Sequence, residues 1–280
     1  MTLISFKDEL LKARAGHYAV PMFDVFDMAG VDGVFLALEE KQTATMVAIY
    51  SGFLDQPGSK AFAAYVRCRA EGTRLPVSLI LDHGDSFEHC IKALTLGFTD
   101  VMFDGSSLPF EENIAITKLV ARAAHPLGAM VEAELGHVGS GSEYDVYGAR
   151  GVGFTNPELV ERFVAETGVD ALAVAFGNAH GVYKGGDPHL DLDLLADIRR
   201  RVEIPLVMHG GSGLSDEQFR GAISAGISKI NVATVMVNTS TQRMAEAAQR
   251  PGASIFTLGE AERKAYHECC NHIYDVFSNR

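Results

Sequence analysis

The segment Pro205-Leu206-Val207-Met208-His209-Gly210 is a short apolar run that ends in a histidine and a glycine. Seven further runs rich in Val, Ile, Leu and Met recur along the chain, separated by segments with helical periodicity. Their nearly continuous apolar character is typical of parallel strands covered by helices. The eight runs are 19–25, 45–50, 77–83, 100–105, 130–136, 171–177, 205–210 and 229–234.

Eight strand and helix units in 280 residues predict a (β/α)₈ barrel, the TIM barrel, because this fold typically needs about 250 residues. An open doubly wound sheet also alternates strands with helices, but no GxGxxG follows the first run, which favours the barrel. We expect one domain over residues 1–280, with a helical extension at about 259–277.

The composition narrows the classes of partner. A formal net charge of −12 disfavours nucleic acids and anionic membrane surfaces, which select basic patches. No apolar run reaches the roughly 18 residues of a membrane span, and the first residues lack a signal-peptide pattern, so a cytoplasmic location is expected. The four cysteines are too scattered for a disulfide framework and are interpreted as reduced packing residues.

Polar residues cluster where the predicted strands end, which is the active-site face of this fold. Three histidines, His83, His180 and His209, follow strands three, six and seven. Three neutral imidazoles with an open fourth position are the ligand set of a catalytic zinc ion. A single histidine at a barrel rim is usually only hydrogen bonded, but three that converge predict a zinc site.

Two further features lie beside these histidines. The segment His209-Gly210-Gly211-Ser212-Gly213 and the segment Asn231-Val232-Ala233-Thr234 follow strands seven and eight, the usual phosphate site of this fold.

Asp82 precedes His83, and neighbours on a strand point in opposite directions unless the strand bends. If the strand bends, Asp82 lies beside the metal and is well placed to move a proton at the substrate.

The motifs taken together resemble the class II fructose-bisphosphate and tagatose-bisphosphate aldolase family, in order and spacing, over roughly residues 5–234. The motifs that carry the resemblance are LDHGDS (81–86), VMFDGS (101–106), VEAELG (131–136), AVAFGNAHG (173–181), HGGSGL (209–214) and KINVAT (229–234).

The resemblance implies a zinc-dependent aldolase that cleaves a ketose phosphate into dihydroxyacetone phosphate and an aldehyde through a metal-stabilised enediolate. It further implies a homodimer or homotetramer and a monovalent cation near Gly181 and Ser212. The resemblance implies that zinc is bound by His83, His180 and His209, and that Asp104 and Glu134 form a neighbouring site for the metal or a second cation. It implies that Asp82 is the acid/base at the C4 hydroxyl and that Glu143 exchanges the C3 proton. It also implies that Asn231 contacts the hydroxyl or enediolate and that the phosphate is held by Gly181, Gly210, Gly211, Ser212 and Thr234.

The sequence departs from the family on the aldehyde side. Asp24 stands where the family usually has asparagine, Tyr50 where a small hydroxyl residue is common, and Val235 where an acidic residue is usual. Basic residues for a distal phosphate are weakly matched, with Arg263 and Lys264 as candidates. These differences keep open a lyase of the same mechanism that acts on another anionic sugar.

A Schiff-base aldolase and a non-catalytic binding protein are two competing interpretations of the same barrel. A Schiff-base aldolase needs a desolvated lysine inside the barrel. Residues 171–177 contain none, and Lys229 starts rather than ends its run, which disfavours that mechanism. A barrel that only binds a sugar phosphate is disfavoured because binding alone needs no acid/base beside zinc.

Overall fold

A computed structural model describes residues 3–141, 153–181, 183 and 188–278. Eight parallel strands pair in sequence order, and the eighth pairs with the first, so the sheet closes into a barrel. The predicted (β/α)₈ fold is confirmed. The strands are β1 Val20–Asp24, β2 Thr45–Tyr50, β3 Val77–Gly84, β4 Asp100–Phe103, β5 Met130–Leu135, β6 Ala171–Val174, β7 Leu206–Met208 and β8 Ile227–Val232.

Helices alternate with these strands and cover the outside of the barrel. Local sequence defines several of them: Asp27, Ser86, Asn156, Asp191 and Ser215 each accept a hydrogen bond from a backbone N–H in a first helical turn. The helices are α1 Lys7–Gly16, α2 Met28–Lys41, α3 Ser59–Glu71, α4 Phe87–Thr95, α5 Phe110–Ala124, α6 Pro157–Thr167, α7 Leu192–Arg201, α8 Asp216–Ala225, α9 Thr234–Ala248 and α10 Ile255–Phe277.

Several strands differ in length from the apolar runs. β6 ends at Val174 rather than at residue 177, because the chain turns there and Gly177 adopts a φ of 109°. β8 begins at Ile227, two residues earlier than expected. The prediction that Lys229 starts its strand is therefore wrong, and Lys229 lies within β8 and is fully buried.

The barrel interior has an apolar amino end and a polar carboxyl end. Helix α1 closes the amino end, where Phe6 and Leu10 pack against inward-facing residues such as Met22, Met46 and Val207. Because side chains alternate along a strand, residues two positions further on face the same interior at the opposite end. The apolar residues that fill the amino end therefore determine which residues of the same strands face the interior at the carboxyl end.

The expected C-terminal extension is one helix, α10, which packs against α2 and α9. Its buried face includes Tyr266, Tyr274 and Phe277. Gly33 of α2 permits this approach, since a Cβ there would lie 2.5 Å from Cβ of Tyr266. Within the described residues, no helix is both long and apolar enough to cross a membrane.

Candidate active site

Strand alternation brings the predicted polar residues into the mouth of the barrel. Asp82 lies two residues beyond the interior residue Ile80, and His209 lies two beyond Val207. Asn231 follows Lys229 in the same way on β8. Asp82, His209 and Asn231 are buried, as expected for groups that face the interior. The same two-residue periodicity that directs apolar side chains into the amino end of the barrel therefore directs these polar side chains into its carboxyl end.

His83 departs from this alternation and joins the site through a local change of backbone. Its φ is 47°, a left-handed value that is uncommon for a residue with a side chain. The pairing of β3 with β4 also shifts register between Leu81 and Gly84. As a result, Nε2 of His83 lies 3.9 Å from Oδ1 of Asp82, although the two residues are neighbours on one strand. The bend that a role for Asp82 beside the metal requires is present.

The three predicted histidines converge. One ring nitrogen from each of His83, His180 and His209 lies within 4.8 Å of the other two. Nε2 of His83 and Nδ1 of His209 are 3.1 Å apart, and Nε2 of His180 is buried without a hydrogen-bond partner in the described part of the chain. Three nitrogens bound to one tetrahedral zinc ion at about 2.0 to 2.1 Å lie about 3.4 Å from one another. The spacing therefore suits a metal ion of this size.

The other ring nitrogen of each histidine is held by an oxygen acceptor. The acceptors are Oδ2 of Asp104 for His83 at 2.7 Å, the carbonyl of Val138 for His180 at 3.0 Å, and Oε1 of Glu132 for His209 at 2.9 Å. In a neutral ring whose outer nitrogen donates its N–H to such an oxygen, the inner nitrogen carries the lone pair that a metal binds. This is the usual outer support of a metal-binding imidazole.

Burial and neighbouring charges set the protonation of the centre. Burial, followed by the nearby His83, lowers the pKa of His180 to about 4. Burial also lowers the pKa of His209 well below its ordinary value. Burial opposes a charge on His83, but the surrounding carboxylates, Asp82 first, outweigh it and raise the pKa of His83 to about 10. The centre thus combines two neutral imidazoles with carboxylates that attract a cation.

A second group of possible ligands adjoins the first. One atom each of His83, Asp104 and Glu134 also lie within 4.8 Å of one another. Oε1 of Glu134 accepts a hydrogen bond from the backbone N–H of Val138, whereas its buried Oε2 has no hydrogen-bond partner among the described residues. Burial, and then the charge of Asp104, raises the pKa of Glu134 to about 8. The two carboxyl groups predicted to form a neighbouring site do lie together.

A buried polar chain connects His209 with Asp82 across the barrel. Glu132 accepts from His209 and contacts Nζ of Lys229 at 2.8 and 3.0 Å. The same Nζ lies 2.6 Å from Oδ1 of Asn231, whose Nδ2 donates to Oδ1 of Asp82 at 3.0 Å. Each link satisfies a group that would be costly to bury alone. The metal-facing histidine and the aspartate are therefore oriented by one network.

Glu132 and Lys229 belong to the site although the sequence pattern predicted a role for neither. A desolvated lysine does face the barrel interior, contrary to the expectation from the runs. Its Nζ contacts Glu132 and Asn231, so it is held in an ion pair with a buried carboxylate. The spacing of Glu132 two residues before Glu134, and of Lys229 two before Asn231, is the signal that could have identified both as inward-facing.

The loops after β7 and β8 meet beside the histidines. Oγ of Ser212 accepts the N–H of Val235 at 3.3 Å, in the first turn of α9, which Thr234 begins. Gly210 has a φ of 71°, and a Cβ there would lie 2.2 Å from the backbone of Ala179. Backbone N–H groups at a helix start beside a glycine turn can surround an anion. The described part of the chain thus brings Ser212 against the first turn of α9, which Thr234 begins.

The loop after β6 places His180 against the start of the loop after β5. The N–H of His180 donates to the carbonyl of Gly139, and the N–H of Gly141 donates to the carbonyl of His180. Asn178 secures the base of this loop, since its Nδ2 donates to the carbonyl of His209 at 2.9 Å. Gly181 follows at a φ of 81°. Glu143, expected to exchange the C3 proton, lies outside the described residues.

Comparison with known proteins identifies a family for this arrangement. Residues 4–280 match the family model described as "Fructose-bisphosphate aldolase class-II". A fructose-bisphosphate aldolase of Geobacillus stearothermophilus is 43% identical over 237 residues, which cover 84% of this chain and 82% of that protein. A 6-phospho-5-dehydro-2-deoxy-D-gluconate aldolase of Halalkalibacterium halodurans is 41% identical over 237 residues, covering 84% and 81%.

A solved structure gives the same result. The crystal structure of the YdjI aldolase from Escherichia coli K12 matches with a TM-score of 0.88 and 34% identity, covering 99% of this chain and 97% of that one. The protein is an aldolase, a carbon–carbon lyase, and enzymes of this family are generally metal-dependent. The chain belongs to the class II fructose-bisphosphate aldolase family.

Proposed function

We propose that the protein is a zinc-dependent aldolase that reversibly cleaves a ketose phosphate, such as fructose 1,6-bisphosphate or tagatose 1,6-bisphosphate, into dihydroxyacetone phosphate and an aldehyde. The observation that carries this proposal is the set of three imidazoles whose outer nitrogens are each held by an oxygen, so that their inner nitrogens face one point. His83, His180 and His209 would hold the ion, which when bound would polarise the ketose carbonyl.

Asp82 is the acid/base in this proposal. In cleavage its carboxylate removes the proton of the C4 hydroxyl, the aldehyde carbonyl forms, and the C3–C4 bond breaks. The electron pair of that bond stays with the three-carbon fragment, which then takes up a proton at C3. In condensation, Asp82 returns the proton to the aldehyde oxygen. The hydrogen bond from Asn231 at 3.0 Å holds the carboxylate in position beside His83.

The three-carbon fragment is oriented by its phosphate. The glycine turn after β7 and the start of α9 supply N–H groups and hydroxyls for a dianion without needing lysine, which agrees with an acidic chain. Asn231 would contact the hydroxyl or the enediolate. The residues proposed to hold the phosphate are Gly181, Gly210, Gly211, Ser212 and Thr234.

Three assignments rest on the family resemblance and stay predictions. Glu143 would exchange the C3 proton. Asp104 and Glu134 would accept the metal in a second position or bind another cation, and a monovalent cation would lie near Gly181 and Ser212. A single domain over residues 1–280, a homodimer or homotetramer, and a cytoplasmic location likewise stay predictions. Light scattering after size-exclusion chromatography tests the oligomeric state.

The first experiment measures release of dihydroxyacetone phosphate from the two bisphosphates. It compares protein as purified, protein treated with a chelator, and treated protein resupplied with zinc. Chelator-sensitive release that zinc restores is the expected result. Release that chelation leaves unchanged would contradict a metal-dependent mechanism. The ratio of the release rates from fructose 1,6-bisphosphate and tagatose 1,6-bisphosphate measures the preference for one configuration at C4.

A different sugar phosphate is the second candidate, with the same chemistry. One observation favours it: a relative at 41% identity is named for a phosphorylated sugar acid. The family resemblance also implies an asparagine where this chain has Asp24. A panel of ketose phosphates assayed under identical conditions distinguishes the candidates.

A Schiff-base route is disfavoured by the ion pair that occupies Lys229. If borohydride with substrate fails to inactivate the enzyme, that result would also argue against a Schiff base.

A further inference from the structure

Asp24 is a buried carboxyl group that the proposed reaction does not use. It ends β1, two residues beyond the interior residue Met22, and is only 2% exposed. Its Oδ1 is buried and has no hydrogen-bond partner among the described residues. The charges that act on it most strongly come from Asp82, His83 and Lys229, so it faces the centre of the site.

A buried carboxyl oxygen without a partner is costly, and native proteins rarely keep one without a use. Burial, followed by the neighbouring Asp82, raises the pKa of Asp24 well above its ordinary value. The protein thus maintains two carboxyl groups, Asp24 and Asp82, close enough to act on each other electrostatically. This arrangement is explained if a polar group of the substrate completes the hydrogen bonding of Asp24.

The position of Asp24 specifies which part of the substrate it meets. If Asp82 acts at the C4 hydroxyl, as the proposed function requires, the carbons beyond C4 must extend away from the three histidines. Strands β1 and β2 border that side, because β1 pairs with β2 and Tyr50 of β2 pairs with Asp82 of β3. β1 also pairs with β8, which leads into the proposed phosphate site, so Asp24 lies between that site and β2, and the charge of Asp82 relates it to the C4 side of the substrate.

The rim above Asp24 is also acidic. Glu262 of α10 shares a hydrogen bond with Asp27 in the loop after β1, and burial, followed by Asp27, raises the pKa of Glu262 to about 7. The loops after β1 and β2, residues 25–27 and 51–58, contain no lysine or arginine. A phosphate dianion at this side would meet acidic groups and would leave its hydration without a cationic partner from the described parts of these loops.

The two basic residues expected to bind a distal phosphate are already paired. Arg263 forms an ion pair with Glu260, and Lys264 lies 3.7 Å from Glu268. Lys264 and Glu268 moreover line a cavity between α9 and α10 rather than the mouth of the barrel. In the described structure, both candidates contact carboxylates of α10 rather than Asp24.

We propose that the aldehyde half of the substrate is uncharged and that Asp24 hydrogen-bonds one of its hydroxyl groups, so that the enzyme prefers ketose 1-phosphates over ketose 1,6-bisphosphates. This inference rests on the proposed function, since it takes Asp82 as the marker of C4. A hydroxyl satisfies the free oxygen of Asp24 as donor or acceptor. A phosphate dianion at the same place would further oppose ionisation of Asp24 and would meet the acidic Asp27–Glu262 pair.

The test uses condensation, because it does not require knowing the configuration of the ketose. Consumption of dihydroxyacetone phosphate by the zinc-loaded enzyme is measured with three matched pairs of aldehydes: glyceraldehyde and glyceraldehyde 3-phosphate, glycolaldehyde and glycolaldehyde phosphate, and erythrose and erythrose 4-phosphate. The expected kcat/KM is at least about tenfold higher for the unphosphorylated member, which corresponds to one lost favourable contact. Faster reaction of the phosphorylated members overturns the inference. No consumption with any aldehyde instead refutes the proposed function.

A variant tests the part that Asp24 plays. Asp24→Asn keeps the shape and removes the ionisable carboxyl group, and it is expected to shift the ratio of the two kcat/KM values towards the phosphorylated aldehydes by at least about fivefold. Asp55→Asn is the matched control, because Asp55 is an exposed carboxylate of the loop after β2 that pairs with Lys92. An unchanged ratio in Asp24→Asn, with zinc content and fold retained, removes Asp24 from substrate selection.

Discussion

The two ends of the barrel both bury ionisable side chains, but they differ in how completely the buried polar atoms are hydrogen bonded. At the amino end, Asp100 accepts hydrogen bonds from Ser5, Ser78 and the backbone N–H groups of Phe6 and Met130. At the carboxyl end, Nε2 of His180 and Oδ1 of Asp24 are both buried, yet neither has a hydrogen-bond partner among the residues that the structure describes.

Asp170 repeats the pattern of the amino end. It contacts Lys7 at 2.7 Å and His125 at 2.9 Å, and it accepts the N–H of Val131. Polar groups that are fully paired stabilise the fold, whereas atoms left unpaired in a site are available to a ligand. The amino end thus uses its buried carboxylates for stability, and the carboxyl end keeps its polar atoms for chemistry.

The largest expected effect tests the carboxyl end directly. His180→Ala removes one of three nitrogens, so zinc content should fall and kcat/KM should drop by at least about 10³-fold. The free energy of unfolding of the metal-free protein should fall by only about 0.5 to 1.5 kcal/mol, because the hydrogen bond from Nδ1 to the carbonyl of Val138 is lost while Nε2 makes no hydrogen bond within the described chain. Metal analysis, aldolase assay and calorimetry check this. His272→Ala, at an exposed histidine paired with Asp216, is the control. Full activity in His180→Ala would separate the histidines from the chemistry.

Asp82→Asn should lower turnover by at least about 10²-fold, the usual contribution of a general acid/base, while zinc is still bound. Asparagine preserves the shape and can still contact Asn231, so the fold should be retained. Steady-state kinetics and metal analysis on the same preparation check this. If turnover is unchanged, Asp82 has no part in proton transfer.

Lys229→Met tests the network that supports both residues. Zinc affinity, measured by competition with a chelator, is expected to weaken by about 10 to 100-fold, because Glu132 loses its cation and holds His209 less well. The single change leaves a buried carboxylate unpaired and should also destabilise the protein by about 3 to 5 kcal/mol.

The double variant Glu132→Gln with Lys229→Met removes both charges and should recover most of that stability without recovering zinc affinity. Lys118→Met, at an exposed lysine of α5, is the control for both variants. If the double variant binds zinc as tightly as the wild type, the network is only structural.

The smallest effect on catalysis is expected at the amino end. Asp100→Asn should lower the free energy of unfolding by about 1 to 3 kcal/mol, since it disturbs several buried hydrogen bonds, and should leave kcat of the folded protein unchanged. Urea unfolding and an aldolase assay check this. A loss of kcat without a loss of stability would contradict the division between the two ends.

The same variant has a predictable pH dependence. Burial raises the pKa of Asp100 from 3.8 to about 6, so the folded state binds a proton that the unfolded state has released. The contribution of this carboxyl group to stability is therefore greatest below about pH 4 and declines as the pH rises through 6, by up to about 3 kcal/mol. The difference in unfolding free energy between wild type and Asp100→Asn should be larger at about pH 4.5 than at about pH 8.

The fold and the three histidines were predictable from the sequence for a local reason. Eight apolar runs with helical segments between them have few ways to bury their surfaces, and a closed parallel barrel brings all strand ends to one face. Any histidine that ends or shortly follows such a strand can reach that face. His83, His180 and His209 could thus be grouped without knowing a single distance.

Other features depend on how neighbouring strands pair, which no short segment of sequence specifies. The left-handed backbone at His83 arises where β3 and β4 lose register. The ion pair of Lys229 with Glu132 joins residues 97 positions apart. Sequence thus determined the barrel and the residue types at its mouth. Tertiary structure decided which of those groups are paired and which are free, because that depends on contacts between strands distant in the chain.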